Sequence, residues 1–151
     1  MVIYLGADHR GFNLKEQIKA LLQNSGYAVH DMGAEAILEN DDYPDYAKSV
    51  AERVSMDSKN SRGVLVCASG VGMDIAANKF ANVRSVLAMS PDHAMVSRSD
   101  DDTNILCLGA DFIEANVALK TVSVWMQTPF SEEENHKRRI EQLKALDHTS
   151  H

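Results

Sequence analysis

Short apolar runs alternate along this chain with stretches whose apolar residues recur every three or four positions. Val2–Leu5 is a β-type run that ends at Gly6. Phe12, Leu14, Ile18, Leu21 and Leu22 follow at helical spacing until Ser25-Gly26 stops them. "YAVHDMG" (27–33) predicts a second strand, and a polar, acidic loop "AEAILENDDYPD" comes after it. A helix is expected from about Pro44 to Met56, with proline suited to the first turn. "GVLVC" (63–67) is a third strand, apolar on both faces as a covered parallel strand requires. The segment "GMDIAANK" reads as a helix, "VRSVLAM" as a fourth strand, "PDHAMVSRS" as a short helix and "NILCLG" as a fifth strand. "DFIEANVALKTVSVWMQ" predicts a long helix. A charged helix is expected from Glu132 to Leu146, with Ile140, Leu143 and Leu146 as a narrow apolar stripe.

This βαβα order predicts an α/β protein with an open, five-stranded, mostly parallel sheet and helices on both faces. No linker or internal repeat divides the 151 residues, so a single domain (1–151) is expected. The last residues, "DHTSH", are expected to fray. The thin apolar stripe of the last helix, about 132–147, suits packing on a second subunit.

Composition narrows the function. The formal net charge is −7, which argues against nucleic acid or an anionic membrane as the main partner. No apolar run approaches the ~20 residues of a membrane span. The start, "MVIYLGADHRGF", lacks a signal-peptide pattern, so a cytoplasmic location is expected. Two cysteines, Cys67 and Cys107, make no disulfide framework, and with neither CxxC nor HExxH no metal site or cofactor is expected.

In open α/β sheets ligands bind beyond the carboxyl ends of the strands, which turns the chain into a short list of candidates. After strand one come Asp8 and His9, an acid and an imidazole able to bind sugar hydroxyls or a phosphate; the plainer reading is a helix start. After strand three comes "CASGVG", where small residues let backbone amides converge on an anion or a developing oxyanion. Cys67 at that point is either a base or nucleophile favoured by the helix start, or a small hydrophobe at a strand end. Cys107 has only the second reading. Asp92 and His93 follow strand four, and Asp111 follows strand five. "SDDDTN" (99–104) reads as an acidic loop, and Lys137, Arg138 and Arg139 as a solvated helix face or a phosphate clamp across a subunit boundary.

"GADHRGFNLKEQI", "DYPDYA", "GVLVCASGVGMDIAANK", "VRSVLA" and "DDTNILCLG" occur in this order and spacing. With them the chain resembles the type B ribose-5-phosphate isomerase family, which includes the subunits of galactose-6-phosphate isomerase. The resemblance runs from Val2 to about Leu146. It implies a Rossmann-like three-layer α/β/α sandwich, a homodimer or dimer of dimers with shared active sites, and aldose–ketose isomerisation of a sugar phosphate without a metal. Cys67 would then move a proton between C1 and C2. Ser69, Gly70, Val71 and Gly72 would hold the enediolate oxygen. Asp8 would bind sugar hydroxyls, with His9, Arg138 and Arg139 near the phosphate. Asn78 and Arg84 would be structural.

The chain also departs from that family. Asp100 and Asp101 stand where members usually carry the histidine that opens the sugar ring and an asparagine. Asp111 and Asn135 stand at usual arginine positions. These changes leave the Cys67 centre intact, with Asp100 as its expected ring-opening partner and Asp101 near the substrate. They keep three other readings open: an isomerase of an unphosphorylated or atypical sugar, a non-catalytic subunit of a paired isomerase, and a thiol-dependent hydrolase.

Overall fold

The computed structural model describes residues 1–147; the terminal stretch expected to fray lies mostly outside them. Five strands form one sheet: β1 (Val2–Ala7), β2 (Ala28–Asp31), β3 (Ser61–Cys67), β4 (Ser85–Leu87) and β5 (Ile105–Gly109). Their order is β2-β1-β3-β5-β4, and every pairing is parallel, so the sheet is wholly parallel rather than mostly so. Six helices alternate with the strands: α1 (Phe12–Asn24), α2 (Tyr43–Met56), α3 (Val71–Ala77), α4 (Pro91–Asp101), α5 (Ala115–Gln127) and α6 (Glu134–Leu146).

Strand periodicity sorts the core into two layers. Ile3, Leu5, Ala7, Val64, Val66, Leu106 and Leu108 face Leu14, Ile18 and Leu22 of α1 and Ala118, Val122 and Trp125 of α5. The alternate residues Leu65, Cys67, Ile105 and Cys107 face Ala47, Val50, Ala51 and Val54 of α2 and Met73 and Ala77 of α3. This is the expected three-layer α/β/α sandwich.

The acidic segment expected as a loop is helical in its first half. Asp100 and Asp101 finish α4, and Asp102 ends it in the left-handed region at φ 48°. The reason is cationic: Arg98 donates to Asp102 Oδ1 at 2.7 Å, and Arg84 donates to the carbonyls of Asp101 and Asp102 at 2.9 and 3.1 Å. Arg84 thereby satisfies the helix's last carbonyls, the structural role expected of it. Asn78 ties α3 to β4 by accepting from the Ser85 amide at 2.9 Å and donating to the Ser85 carbonyl at 3.1 Å. The stripe on α6 is divided. Ile140 is buried within its own chain, while Leu143 and Leu146 are exposed.

Lys15 is buried, and its ammonium donates to both oxygens of Asp31 at 2.8 and 2.9 Å and to the Ala34 carbonyl. Burial raises the Asp31 carboxyl, but hydrogen bonds from Lys15, Lys19 and the Gly33 amide outweigh it and leave it below its ordinary 3.8. A lowered carboxyl stabilises the fold above its ordinary value, and that contribution fades as pH falls through the folded value. Asp31→Asn removes the nearer counter-charge of a buried ammonium and leaves only Glu16, at 3.4 Å. It is expected to lower unfolding free energy by about 2 kcal/mol or more at pH 7. The gap to wild type should narrow below about pH 4, as urea denaturation at several pH values would show.

Candidate active site

Strands β2 and β1 lie to one side and β3, β5 and β4 to the other, so the chain reverses its winding between β1 and β3. At such a reversal the loops leaving the two strands diverge and open a crevice. The register sets Ala7 of β1 against Val66 of β3, so Asp8 and Cys67 leave the sheet at the same level. A Cβ at Gly11 would stand 2.3 Å from the Val66 carbonyl oxygen, which shows how closely the first loop lies on β3.

Cys67 is the last residue of β3 and is 5% exposed. Its Sγ accepts a hydrogen bond from the Gly70 amide at 3.1 Å. Gly70 has φ 77°, and a Cβ there would meet Leu87 at 2.5 Å and the Leu108 backbone at 2.9 Å, so only glycine makes this turn. The Val71 amide donates to Ser69 Oγ at 3.3 Å. Tyr43, at the start of α2, covers Gly72, where a Cβ would lie 2.4 Å from its ring. Helix α3 has only 7 residues, so the donors here are mainly individual loop amides rather than a long helix dipole. Ala110 and Asp111 donate their amides to the carbonyls of Cys67 and Ala68 at 2.9 Å each, and this anchors the turn to β5.

Asp8 is buried; its Oδ1 accepts from the amides of Arg10 and Gly11 at 3.0 and 3.1 Å. Its second oxygen has no hydrogen bond among the described residues and is available to a ligand hydroxyl. His9 is half-buried and is held by Asp41, which in turn accepts from the Tyr46 hydroxyl at 2.9 Å. Donor atoms of Asp8, His9 and Asp41 lie within 4.8 Å of one another. Asp8 Oδ1 and both Asp41 oxygens already accept hydrogen bonds, from backbone amides, the His9 ring and the Tyr46 hydroxyl. The cluster fits a hydrogen-bonded network better than a cation cage. Arg10 pairs with Asp111 across the rim, so the acid at the usual arginine position is neutralised within the chain.

Not every expected site residue joins this rim. Asp100, Asp101, Arg138 and Arg139 lie at the other end of the sheet, where β5 begins. At about 3.3 Å per residue, β5 alone puts at least about 13 Å between them and Cys67. There, Asp100 lies 3.9 Å from His136 Nε2, whose Nδ1 meets Ser131 Oγ at 2.7 Å. Arg138 and Arg139 are exposed on α6. Asp41, Tyr43, Tyr46, Arg10 and His136 were not among the candidates read from sequence. Asp41 sits in a run of acids with nothing to mark it, and Arg10 and Tyr43 stand within motifs whose pattern gives them no separate role.

Cys107 is fully buried within β5. Burial pushes the Cys107 thiol well above its ordinary range, and the Ser85 hydroxyl lies 3.2 Å from its sulfur. His30 and His93 are exposed, as surface residues.

Fold and rim together define a doubly wound α/β protein with a thiol and an amide-lined turn at its switch point. The profile of the Ribose/Galactose Isomerase family matches residues 3–143, and the chain belongs to that family. It is 39% identical to ribose-5-phosphate isomerase B of Escherichia coli K12 over 145 residues, 96% of this chain and 95% of that protein. It superposes with a TM-score of 0.95 on ribose-5-phosphate isomerase B from Mycoplasma genitalium with bound ribulose-5-phosphate, at 34% identity, covering 99% and 97% of the two chains. The Clostridium thermocellum enzyme gives a TM-score of 0.94 at 34% identity, with both chains fully covered.

Iodoacetamide is expected to modify Cys67 in the folded protein well before Cys107, which peptide mass spectrometry resolves. Faster labelling of Cys107 would contradict the placement of Cys67 at the tip of β3 and of Cys107 inside β5.

Proposed function

We propose that this protein interconverts ribose 5-phosphate and ribulose 5-phosphate, an aldose–ketose isomerisation by proton transfer through an enediolate. The observation that carries this reading is the Cys67 sulfur at the tip of β3, hydrogen-bonded to the Gly70 amide at the β1–β3 switch point. C1 and C2 of the open-chain sugar are adjacent, so one thiolate reaches both. The proton next to a carbonyl is weakly acidic, and the oxyanion left behind needs preformed donors. Losing one such donor costs on the order of 3 kcal/mol. Amides of the Ser69–Gly72 turn supply them, and Asp8 accepts from a sugar hydroxyl.

The split between two rims supports a site shared by two copies. One copy contributes Cys67, Ser69, Asp8 and His9. The opposite rim of the second contributes Asp100, Asp101, Arg138 and Arg139, and so supplies the cations that the first rim lacks once Arg10 is engaged by Asp111. The exposed Leu143 and Leu146 of α6 suit that contact.

Cys67→Ala is expected to lower kcat for ribose 5-phosphate by about a thousandfold or more, with folding unchanged. A coupled ketose assay and solvent deuterium exchange at C2 would measure it; retention of either activity excludes Cys67 as the base. Two inactive variants, Cys67→Ala and Arg139→Ala, should regain activity when mixed and reassociated, because hybrid assemblies contain one intact composite site. Mixtures that stay inactive while subunits demonstrably exchange would refute the shared site.

A further inference from the structure

A concavity opens at the amino ends of β1, β3 and β5, the end of the sheet away from Cys67. Its volume is about 330 Å³, within the range of small-molecule sites. Five steps of β3 separate Arg62 from Cys67, about 16 Å of strand, so this cavity and the catalytic turn are distinct. Asp100, Asp101, Arg138 and Arg139, assigned above to the shared site, do not line it.

The lining is cationic. Lys59, Arg62, Arg84, Arg98 and Lys144 bring positive charge, and Asp102 is the one carboxylate among the described residues of the wall. Two arginines share that carboxylate: Arg98 Nη1 donates to Oδ1 at 2.7 Å and Arg84 Nη2 to Oδ2 at 3.2 Å. Lys144 is matched by Glu141 at 2.7 Å. Lys59 and Arg62 have no ion pair among the described residues. Three positive charges therefore stay unmatched in a chain whose net charge is −7. Arg62 bears the cost. Its Nη1 donates to the Trp125 and Met126 carbonyls at 3.3 and 3.2 Å, in the last turn of α5. Burial, and then repulsion from Arg98, lower its pKa to about 10 despite the pull of Asp102. It is still a cation at neutral pH.

Donors are left over as well. Arg62 Nε and Nη2, Arg84 Nη1 and Arg98 Nη2 make no hydrogen bond among the described residues, yet none of them is sealed from solvent. Guanidinium groups with free N–H edges bind phosphate oxygens through charge-assisted hydrogen bonds. A phosphate dianion supplies both the missing charge and the missing acceptors.

We propose that this cavity is a phosphate site, separate from the isomerase crevice, in which Lys59, Arg62, Arg84 and Arg98 hold a phosphate dianion, either free or as the monoester of a small metabolite. The site does not depend on the isomerase reading. Occupancy stabilises the folded chain, because unfolding disperses the cluster.

The test uses full-length protein and amide-resolved NMR. Inorganic phosphate is titrated into wild type, with sodium chloride at matched ionic strength as the control. The expected result is saturable shifts at the amides of Lys59, Arg62, Arg84 and Asn104 that chloride does not reproduce. Arg62→Gln should weaken the affinity read at those amides by at least about tenfold. Lys59→Ala, a change at an exposed side chain, should weaken it about threefold and reports even if Arg62→Gln does not fold. Shifts at the Cys67–Gly72 amides report phosphate in the isomerase crevice and should persist in both variants, with kcat and KM for ribose 5-phosphate within about twofold of wild type. Glycerol 3-phosphate, titrated in the same way, separates the two sources: tighter binding than inorganic phosphate assigns a monoester, and equal or weaker binding assigns the free ion. Phosphate shifts confined to the crevice, shifts matched by chloride, or unchanged affinity in either folded variant would overturn the proposal.

Discussion

Parallel pairing of β1 with β3 is the constraint on which the site depends. Because β2 lies outside β1 while β3 and β5 continue the other way, the polypeptide leaves β1 and β3 toward opposite faces, the arrangement at which open α/β sheets bind their ligands. Six register pairs, from Val2↔Ser61 to Ala7↔Val66, bring both strands to that edge together. A shift of one residue would turn Cys67 from the α2/α3 layer to the α1/α5 layer and remove it from the turn that holds it. The buried alternation of Leu65 and Val66 between the two layers is what forbids the shift. Sheet packing thus sets the chemistry, and the small residues at 68–72 only shape what the sheet has already aimed.

The second problem is charge. A chain with net charge −7 must receive an anionic sugar at a rim carrying Asp8, Asp41 and Asp111. Each of these acids is committed locally: Asp8 to two amides, Asp41 to His9 and Tyr46, Asp111 to Arg10. Of the three, only Asp111 is ion-paired; Asp8 and Asp41 keep their charge, held in place by their hydrogen bonds. The Arg10–Asp111 pair is half-exposed, so its energy is small, but it cancels the one reversed charge in the motif.

Strands and helices were legible because each buries one periodic face in a core of ordinary density, and the wholly parallel sheet follows from helices standing between all successive strands. The position of Cys67 at a strand end and the tight turn through Ser69, Gly70 and Gly72 were legible too, since an apolar run followed by small residues marks where a strand stops and a turn begins. The fate of "SDDDTN" was not. Three successive acids show no apolar period, yet Arg84 and the buried Arg98 arrive from elsewhere in the chain and let the helix run through two of them. Asp41 was equally hidden. Its role comes from a contact 32 residues away, and no local pattern separates it from its neighbour Asp42.

The distribution of chemistry within one chain also constrains how copies combine. Cys67 ends its strand at one rim, while Asp100, His136, Arg138 and Arg139 cluster at the other. A single chain therefore cannot bring them within reach of one small sugar. In a two-fold arrangement the same contact occurs twice, so any orientation that brings the basic rim of one copy to the thiol rim of the next closes two sites at once. A head-to-tail arrangement would close one site and leave a thiol rim and a basic rim open at the ends, with the exposed apolar residues of α6 uncovered there. Two-fold symmetry would satisfy both the chemistry and the burial with one interface, which is why it suits the proposed shared site.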